Sequence, residues 1–545
     1  MQPPLIRHRL ARQPERDRTR RRKQPTAQRF GVLALHLLGL FGLSAPRIAW
    51  AEPPKSGLSP CRLPGSETEL LCGTLRRPLA AAEPASPSPP DSPQIDIHFA
   101  VLPAIARNKR PDPVFFFAGG PGQSALRLVG PIGQLLKRLQ NRRDIVFIDQ
   151  RGTGRSAPLS CPELARSTPL SESLQHSRFG PYLAQCLADL QTRPHGDLRK
   201  YTTTQAMQDA DAVREVLGAQ QINVIGGSYG TRAGLEYMRQ FPARVRRAIL
   251  DGVVPPDVRL PQALGLDAYA ALSSWIRACE QDADCNARHP ALGPKAQALL
   301  SSLPKEITVT HPHTGHAERL TLQPDQLMAL LHGPLYAPAL ASALPLALAQ
   351  ASEGRFEALF GLSSALDGGD STRLALGMHF AVICSEDLPA AATPQPTNAA
   401  ANAAASAAAN AATERLAVEF AERFAQQYQE ICAHVPRGDV PSAFYSVPPA
   451  PAPTLLFSGG LDPVTPTRHG DRVARALGEK ARHIVVPNAG HGVLALPCIP
   501  DVLYRFIDAE SQRHALTVDA SCATAIPRPP LYRGITSDRS PQVRK

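Results

Sequence analysis

Three side chains able to act as nucleophile, base and acid stand in glycine-rich settings, each after an apolar run. Ser228 lies in Gly-Gly-Ser-Tyr-Gly (226–230) after INVI, Asp462 follows LLFSGGL (455–461), and His491 stands between Gly490 and Gly492 after IVVPNAG (484–490). Such a set performs nucleophilic substitution at an acyl carbon. A serine hydroxyl attacks poorly until a histidine takes its proton, while an acid fixes the imidazole tautomer and stabilises the imidazolium. G-x-S-x-G between a strand and a helix is the signature of a nucleophile elbow, which holds the serine in a strained turn at the top of a sheet. The same five residues also match a plain glycine turn, so the partners carry the assignment. Ser228, Asp462 and His491 follow one another in the chain order that this elbow uses.

Acyl transfer also needs donors for the developing alkoxide. GGPGQS (119–124) follows the apolar run VFFFA, and its glycines let backbone N–H groups converge without side-chain obstruction. Gly120 is the expected donor from this loop and Tyr229, the residue after the nucleophile, the second. A tight turn is the alternative for GGPG. Asp251, which ends VRRAILD, is the rival acid, and His483, at a strand start, reads as core packing or solvent-exposed.

The elements that must position these groups are legible as continuous apolar strands alternating with helices. Strands are expected at 69–76 and 95–102 and, each running into a turn, within 113–125, 144–156, 222–230, 245–256, 452–466 and 482–493, with helices near 204–217, 231–241 and 499–511. Runs of this kind imply a parallel sheet covered on both faces, an α/β architecture. After Pro256 the strand rhythm lapses for about two hundred residues rich in Ala and Leu at helical spacing. The expected organisation is a leader (1–51), a first core part (52–256), a mainly helical cap or lid inserted at 257–450, and a second core part with a C-terminal helix (451–545). The Pro/Ala/Ser stretch at 78–93 and the alanine tract at 391–413 read as loop and spacer.

Composition narrows the function. Of the formal charge of +12, eight units lie in residues 1–29 and one at Arg47, leaving only +3 after residue 51, so a nucleic-acid partner loses its main support. The basic stretch precedes FGVLALHLLGLFGLSA and Ala49-Trp50-Ala51, an export signal with an A-x-A cleavage pattern, the alternative being a retained anchor. No later segment is expected to insert stably into a membrane, and the expected location is periplasmic or secreted. All ten cysteines follow the cleavage pattern, and no Cys-x-x-Cys or zinc-spaced Cys/His cluster occurs, so neither metal nor cofactor is expected. Disulfides fit an oxidising compartment, with the local pairing Cys61–Cys72, Cys161–Cys186, Cys279–Cys285, Cys384–Cys432 and Cys498–Cys522 the simplest.

Taken together, GGPGQS, DQRGTGRS, GGSYGTRAGLEY, LDGVVPP, CSED, GGLDPVTP and GHGV resemble the proline iminopeptidase and tripeptidyl aminopeptidase group of α/β-hydrolases, from about residue 60 to 525. The resemblance implies an α/β-hydrolase core with a helical cap. It also implies removal of one residue or a tripeptide from free peptide N-termini by Ser228, Asp462 and His491. An esterase or other small-molecule hydrolase with the same triad is the alternative, and a silent binding protein a third reading. A free amine needs a reader, and a desolvated carboxylate rewards a cation while rejecting a blocked terminus. Glu386, helped by Asp387, is the candidate in HFAVICSEDLP (379–389), tethered by Cys384. A solvated turn is the competing reading of these two acids.

Overall fold

A computed structural model of the chain describes residues 57–80, 92–176, 180–365, 373–388 and 411–534. The basic leader, most of the Pro/Ala/Ser loop and most of the alanine tract lie outside the described residues.

Among the described residues nine strands form one sheet: β1 (Ser59–Cys61), β2 (Leu70–Pro78), β3 (Gln94–Leu102), β4 (Val114–Phe117), β5 (Ile145–Ile148), β6 (Ile222–Gly227), β7 (Val245–Asp251), β10 (Thr454–Gly459) and β11 (Ala481–Val486). Their order is β1-β2-β3-β5-β4-β6-β7-β10-β11. The β1/β2, β2/β3 and β3/β5 pairs are antiparallel, and every pair from β5 to β11 is parallel. This is an α/β-hydrolase architecture with a mostly parallel sheet. Alternation explains the continuous apolar strands. Phe115 and Phe117 of β4 enter the core on one face with Val146 and Ile148 of β5, whereas Val114, Phe116, Ile145 and Phe147 enter the core on the other. With helices on both faces, no position of these strands can be polar at low cost.

The stretch read as mainly helical also holds a two-stranded hairpin, β8 (Lys305–Thr310) with β9 (Ala317–Leu322). Its signal was present as alternation, since Ile307, Val309, Leu320 and Leu322 are buried between exposed neighbours. A separate apolar cluster including Trp275, Leu327, Leu331, Leu348, Phe356 and Phe360 gives this region its own core. Packing does not keep 257–450 together, however. Met378, Val382, Ile431 and Val435 join the core of the sheet, so the helix Leu376–Glu386 and the residues around 431–435 pack with the hydrolase core. The five disulfides are Cys61–Cys72, Cys161–Cys186, Cys279–Cys285, Cys384–Cys432 and Cys498–Cys522. No helix among the described residues is long and apolar enough to cross a membrane.

DQRGTGRS contributes a buried ion pair beneath the sheet's carboxyl edge. Arg151, without exposed side-chain surface, donates to both oxygens of Asp209 at 2.7 and 3.0 Å and to the carbonyls of Leu79 and Lys200. Removing one partner of such a pair leaves a desolvated charge uncompensated, which costs more than the pair contributes. Asp209→Ala should therefore lower stability by about 3 kcal/mol or more. Chemical denaturation followed by fluorescence checks this, and a shift under about 1 kcal/mol would show the guanidinium satisfied by its carbonyl partners alone.

Candidate active site

Parallel pairing brings the carboxyl ends of β4, β6, β7, β10 and β11 to one edge of the sheet, where open α/β sheets assemble sites. Ser228 directly follows β6 and opens the elbow helix Tyr229–Gln240, with φ 55° and ψ −125°, a conformation non-glycine residues avoid. The flanking glycines make that turn possible. A Cβ at Gly226 would lie 2.2 Å from the Gly230 carbonyl oxygen, and one at Gly230 would lie 2.1 Å from that of Phe117.

Asp462 and His491 meet across the loops after β10 and β11. His491 donates from Nδ1 to Asp462 Oδ2 at 2.9 Å. The other carboxylate oxygen accepts the N–H groups of Val464 and Thr465 at 2.8 Å, and the Thr465 hydroxyl donates to Oδ2 at 2.7 Å. Burial pushes the Asp462 carboxyl up, but the His491 charge and these donors outweigh it and hold the carboxyl below its usual range. For His491 burial lowers the pKa, and the Asp462 charge and hydrogen bond raise it further, with a net upward shift. The ring is thus presented with Nδ1 protonated and Nε2 available to accept a proton.

Serine and imidazole are neighbours through β7. Ser228 N–H donates to the Asp251 carbonyl at 2.8 Å, and the next residue, Gly252, lies so close to the ring that a Cβ there would be 3.1 Å from His491 Cε1. No hydrogen bond joins the Ser228 hydroxyl to the ring among the described residues; in unliganded sites this contact is often long and tightens with substrate in place. The rival acid has a different task. The Asp251 carboxylate accepts the N–H groups of Val493 and Leu494 at 2.9 to 3.2 Å, anchoring the loop beyond His491, and burial raises its pKa to about 6. His483 lies between Asp471 and Ser458 within the β10–β11 layer.

The loop after β4 faces the elbow. A Cβ on Gly119 would lie 3.2 Å from Ser228 Cβ, and the Gly119 N–H is engaged by the Gln123 side chain at 3.3 Å. The N–H groups of Gly120 and Tyr229, the two expected donors, have no partner among the described backbone hydrogen bonds. Sequence reading missed the group that fixes this loop. Asp149, fully buried after β5, accepts Ser124 Oγ at 2.6 Å, Leu126 N–H at 3.1 Å and Arg155 N–H at 3.0 Å. It also missed Tyr336, whose carbonyl accepts the His491 N–H at 3.1 Å and whose ring meets the imidazole edge-on at 5.2 Å. Nothing in the sequence marks that contact beyond Gly490, where a Cβ would lie 2.4 Å from the Tyr336 oxygen.

Glu386 and Asp387, expected as desolvated readers of a substrate amine rather than a solvated turn, lie at the end of the helix Leu376–Glu386. Both are buried, and both are committed to internal partners. Glu386 accepts the Thr203 N–H at 2.6 Å and the Thr203 hydroxyl at 2.9 Å, while Asp387 pairs with the buried Arg232 of the elbow helix at 2.6 Å. Burial raises Glu386 to about 7 against the pull of Arg232 and Thr203.

Comparison with known proteins agrees with this fold. Residues 112–282 match the alpha/beta hydrolase fold family, and residues 417–518 match the TAP-like protein family. The chain is 30% identical to serine protease Hip1 of Mycobacterium tuberculosis over 277 residues, 47% of this chain and 51% of that protein. It is 32% identical to tripeptidyl aminopeptidase of Streptomyces lividans over 161 residues, 28% of this chain and 30% of that one. Against proline iminopeptidase of Aeromonas sobria, identity is 27% over 218 residues, 40% and 44% of the two chains. The chain spans about half the length of the mycobacterial relatives it matches.

An imidazole with a raised pKa accepts a proton only once it is neutral. The acidic limb of the kcat/KM profile should therefore be centred above the 6.5 of an ordinary histidine, activity falling as pH drops through it. In Asp462→Asn the raising partner is gone, so the limb should move to lower pH while the rate falls. A wild-type limb centred at or below 6.5 would contradict this pairing.

Proposed function

Because the chain is an α/β hydrolase with a TAP-like C-terminal segment, we propose that it is an exported serine peptidase releasing one residue or a tripeptide from free peptide N-termini. The observation that carries this reading is the Asp462–His491 pair, closed at 2.9 Å beside a serine held at φ 55°. In this mechanism Ser228 Oγ attacks the scissile carbonyl as His491 Nε2 takes its proton. The alkoxide is received by the N–H groups of Gly120 and Tyr229. Collapse expels the amine, protonated by His491, and leaves an acyl group on Ser228, which water removes by the same steps in reverse roles. Similarity to the serine protease and the two aminopeptidases supports the peptidase class, and the peptide partner with a free N-terminus is part of the proposal. The esterase reading keeps its place for one reason: Glu386 and Asp387 already have internal partners in Thr203 and Arg232, a pairing that needs no substrate amine to explain it.

The substrate panel decides between these. Tripeptidyl and aminoacyl amides with free termini should be cleaved, their N-acetylated counterparts should not, and efficient turnover of acyl esters alone would favour the esterase. Ser228→Ala should cost on the order of 10⁴ or more in turnover with the fold intact, and a fluorophosphonate should label Ser228. Retention of a tenth of wild-type turnover would remove Ser228 as nucleophile.

Export is supported by the leader pattern and by five disulfides among the described residues. Protein recovered from outside the cytoplasm should begin after Ala51 and take up no alkylating reagent before reduction. Several reactive thiols in that material would contradict the proposed location.

A further inference from the structure

Outside the triad, the helix Leu376–Glu386 reaches both halves of the proposed oxyanion hole. At its start, Ala375 N–H donates to the Gly122 carbonyl at 2.9 Å, and Leu374 forms an antiparallel bridge with Gln123. One turn on, His379 Nδ1 lies 3.1 Å from the Pro121 carbonyl oxygen. A carbonyl can only accept, so Nδ1 carries the proton and Nε2 accepts from the Tyr428 hydroxyl at 3.2 Å. Burial keeps the ring neutral by lowering its pKa to about 4. Three consecutive residues of the donor loop, Pro121 to Gln123, are thus held from this helix.

At its other end the helix reaches the second donor. Glu386 accepts both the N–H and the hydroxyl of Thr203, and Thr203 Oγ1 lies 2.6 Å from the phenol of Tyr229. With Glu386 ionised, the hydroxyls can point only one way: Tyr229 donates to Thr203, and Thr203 donates to the carboxylate. The next carboxylate, Asp387, fixes Arg232 of the same elbow helix. The span between these ends is a rigid unit. Residues 377–378 and 380–386 are buried, Cys384–Cys432 joins the last turn to the helix Ala411–Cys432, and the Tyr445 hydroxyl donates to the Glu386 carbonyl at 3.0 Å.

We infer that this helix is a brace that sets the spacing of the two oxyanion donors, with His379 and Glu386 as its positioning residues. The inference rests on the serine-hydrolase reading above. It explains why a carboxylate with no exposed side-chain surface is given to Thr203, one step from the residue after the nucleophile, and why a neutral histidine is packed against the donor loop. Backbone donors act only while they stay about 2.7–3.1 Å from the oxyanion, so loosening either end lowers kcat and leaves ground-state binding largely alone.

The test uses two variant pairs, one for each end. Thr203→Val removes the hydroxyl between Glu386 and Tyr229 while keeping the side-chain shape, and Thr203→Ser restores it. His379→Leu removes the donor to Pro121, and His379→Gln retains one. Thr203→Val and His379→Leu should each lower kcat about 10-fold or more, on free-amine amides and acyl esters alike, with KM within about twofold. Fluorophosphonate labelling of Ser228 should slow in step, and the Ser and Gln variants should recover most of the loss. A loss confined to free-amine substrates with a raised KM would overturn the brace and make Glu386 a reader of the amine. Unchanged kcat in both Thr203→Val and His379→Leu would overturn it as well. Should Thr203→Val fail to fold, the His379 pair decides. Wild-type protein that Ser228-directed reagents do not label would sink the serine-hydrolase reading and this inference with it. Normal labelling indifferent to the helix would overturn this inference alone.

Discussion

The backbone turn at Ser228 is the constraint on which the site is built. At φ 55° the serine occupies a strained region, and the surrounding chain must over-determine it for the turn to persist. It does so by backbone contact. Gly226 lies against the Gly230 carbonyl and Gly230 against that of Phe117, distances that leave no room for a methyl group. The end of β4, the end of β6 and the first turn of the elbow helix are therefore pressed together at one point. The donor loop leaves β4 two residues after Phe117, so one packing contact fixes both the serine and the approach of Gly119 and Gly120 to it.

Strand ends deliver loops to the same edge, but they do not set loop conformation to a few tenths of an ångström. Buried carboxylates do that here. Asp149 gathers the donor loop, Asp251 the loop after His491, Asp462 its own turn at 464–465, and Glu386 the start of the helix Thr203–Val216. Each is desolvated, and each is offset by donors whose hydrogen bonds to a charge are among the stronger ones in proteins. Three of these four acids contact no imidazole, which is why type and strand-end position could not by themselves separate Asp251 from Asp462. What separates them is direction: Asp251 turns its oxygens to backbone amides, and Asp462 turns one to Nδ1 of His491.

How much could be read in advance follows from the range of the interactions. The parallel strands were legible because burial on both faces forces uninterrupted apolar runs such as VFFF and IVFI. The elbow was legible because its glycines and serine are adjacent in sequence. The His491–Asp462 pair spans 29 residues, yet chain order exposed it, since both follow strands of one sheet. Short β1 escaped, three residues with a proline among them, as did the β8–β9 hairpin inside an Ala/Leu-rich stretch. The partner of Glu386 was out of reach for a deeper reason. Its partner Thr203 lies 183 residues away, and no local pattern tells a carboxylate facing a pocket from one facing a buried hydroxyl.

The chain also holds a control on geometric reasoning. His483 Nδ1 lies 2.7 Å from Asp471 Oδ1, and its Nε2 lies 3.0 Å from Ser458 Oγ, an acid–imidazole–hydroxyl series with closer contacts than those at Ser228. Yet Ser458 is fully buried in β10, in ordinary strand conformation, and Gly470 closes over the ring so tightly that a Cβ there would be 2.4 Å from Nε2. Gly470 also lies so close that a Cβ there would be 2.8 Å from the Ser458 hydroxyl, which is thus enclosed by backbone. The acid there is also half exposed, so water screens its hold on the imidazole, whereas Asp462 has no exposed side-chain surface. Three polar groups in line are therefore a cheap product of packing a histidine between a strand and a helix. What sets Ser228 apart, and supports its proposed role as nucleophile, is the elbow's strain, the proposed donors at its flank and a desolvated acid, not the proximity of a histidine alone.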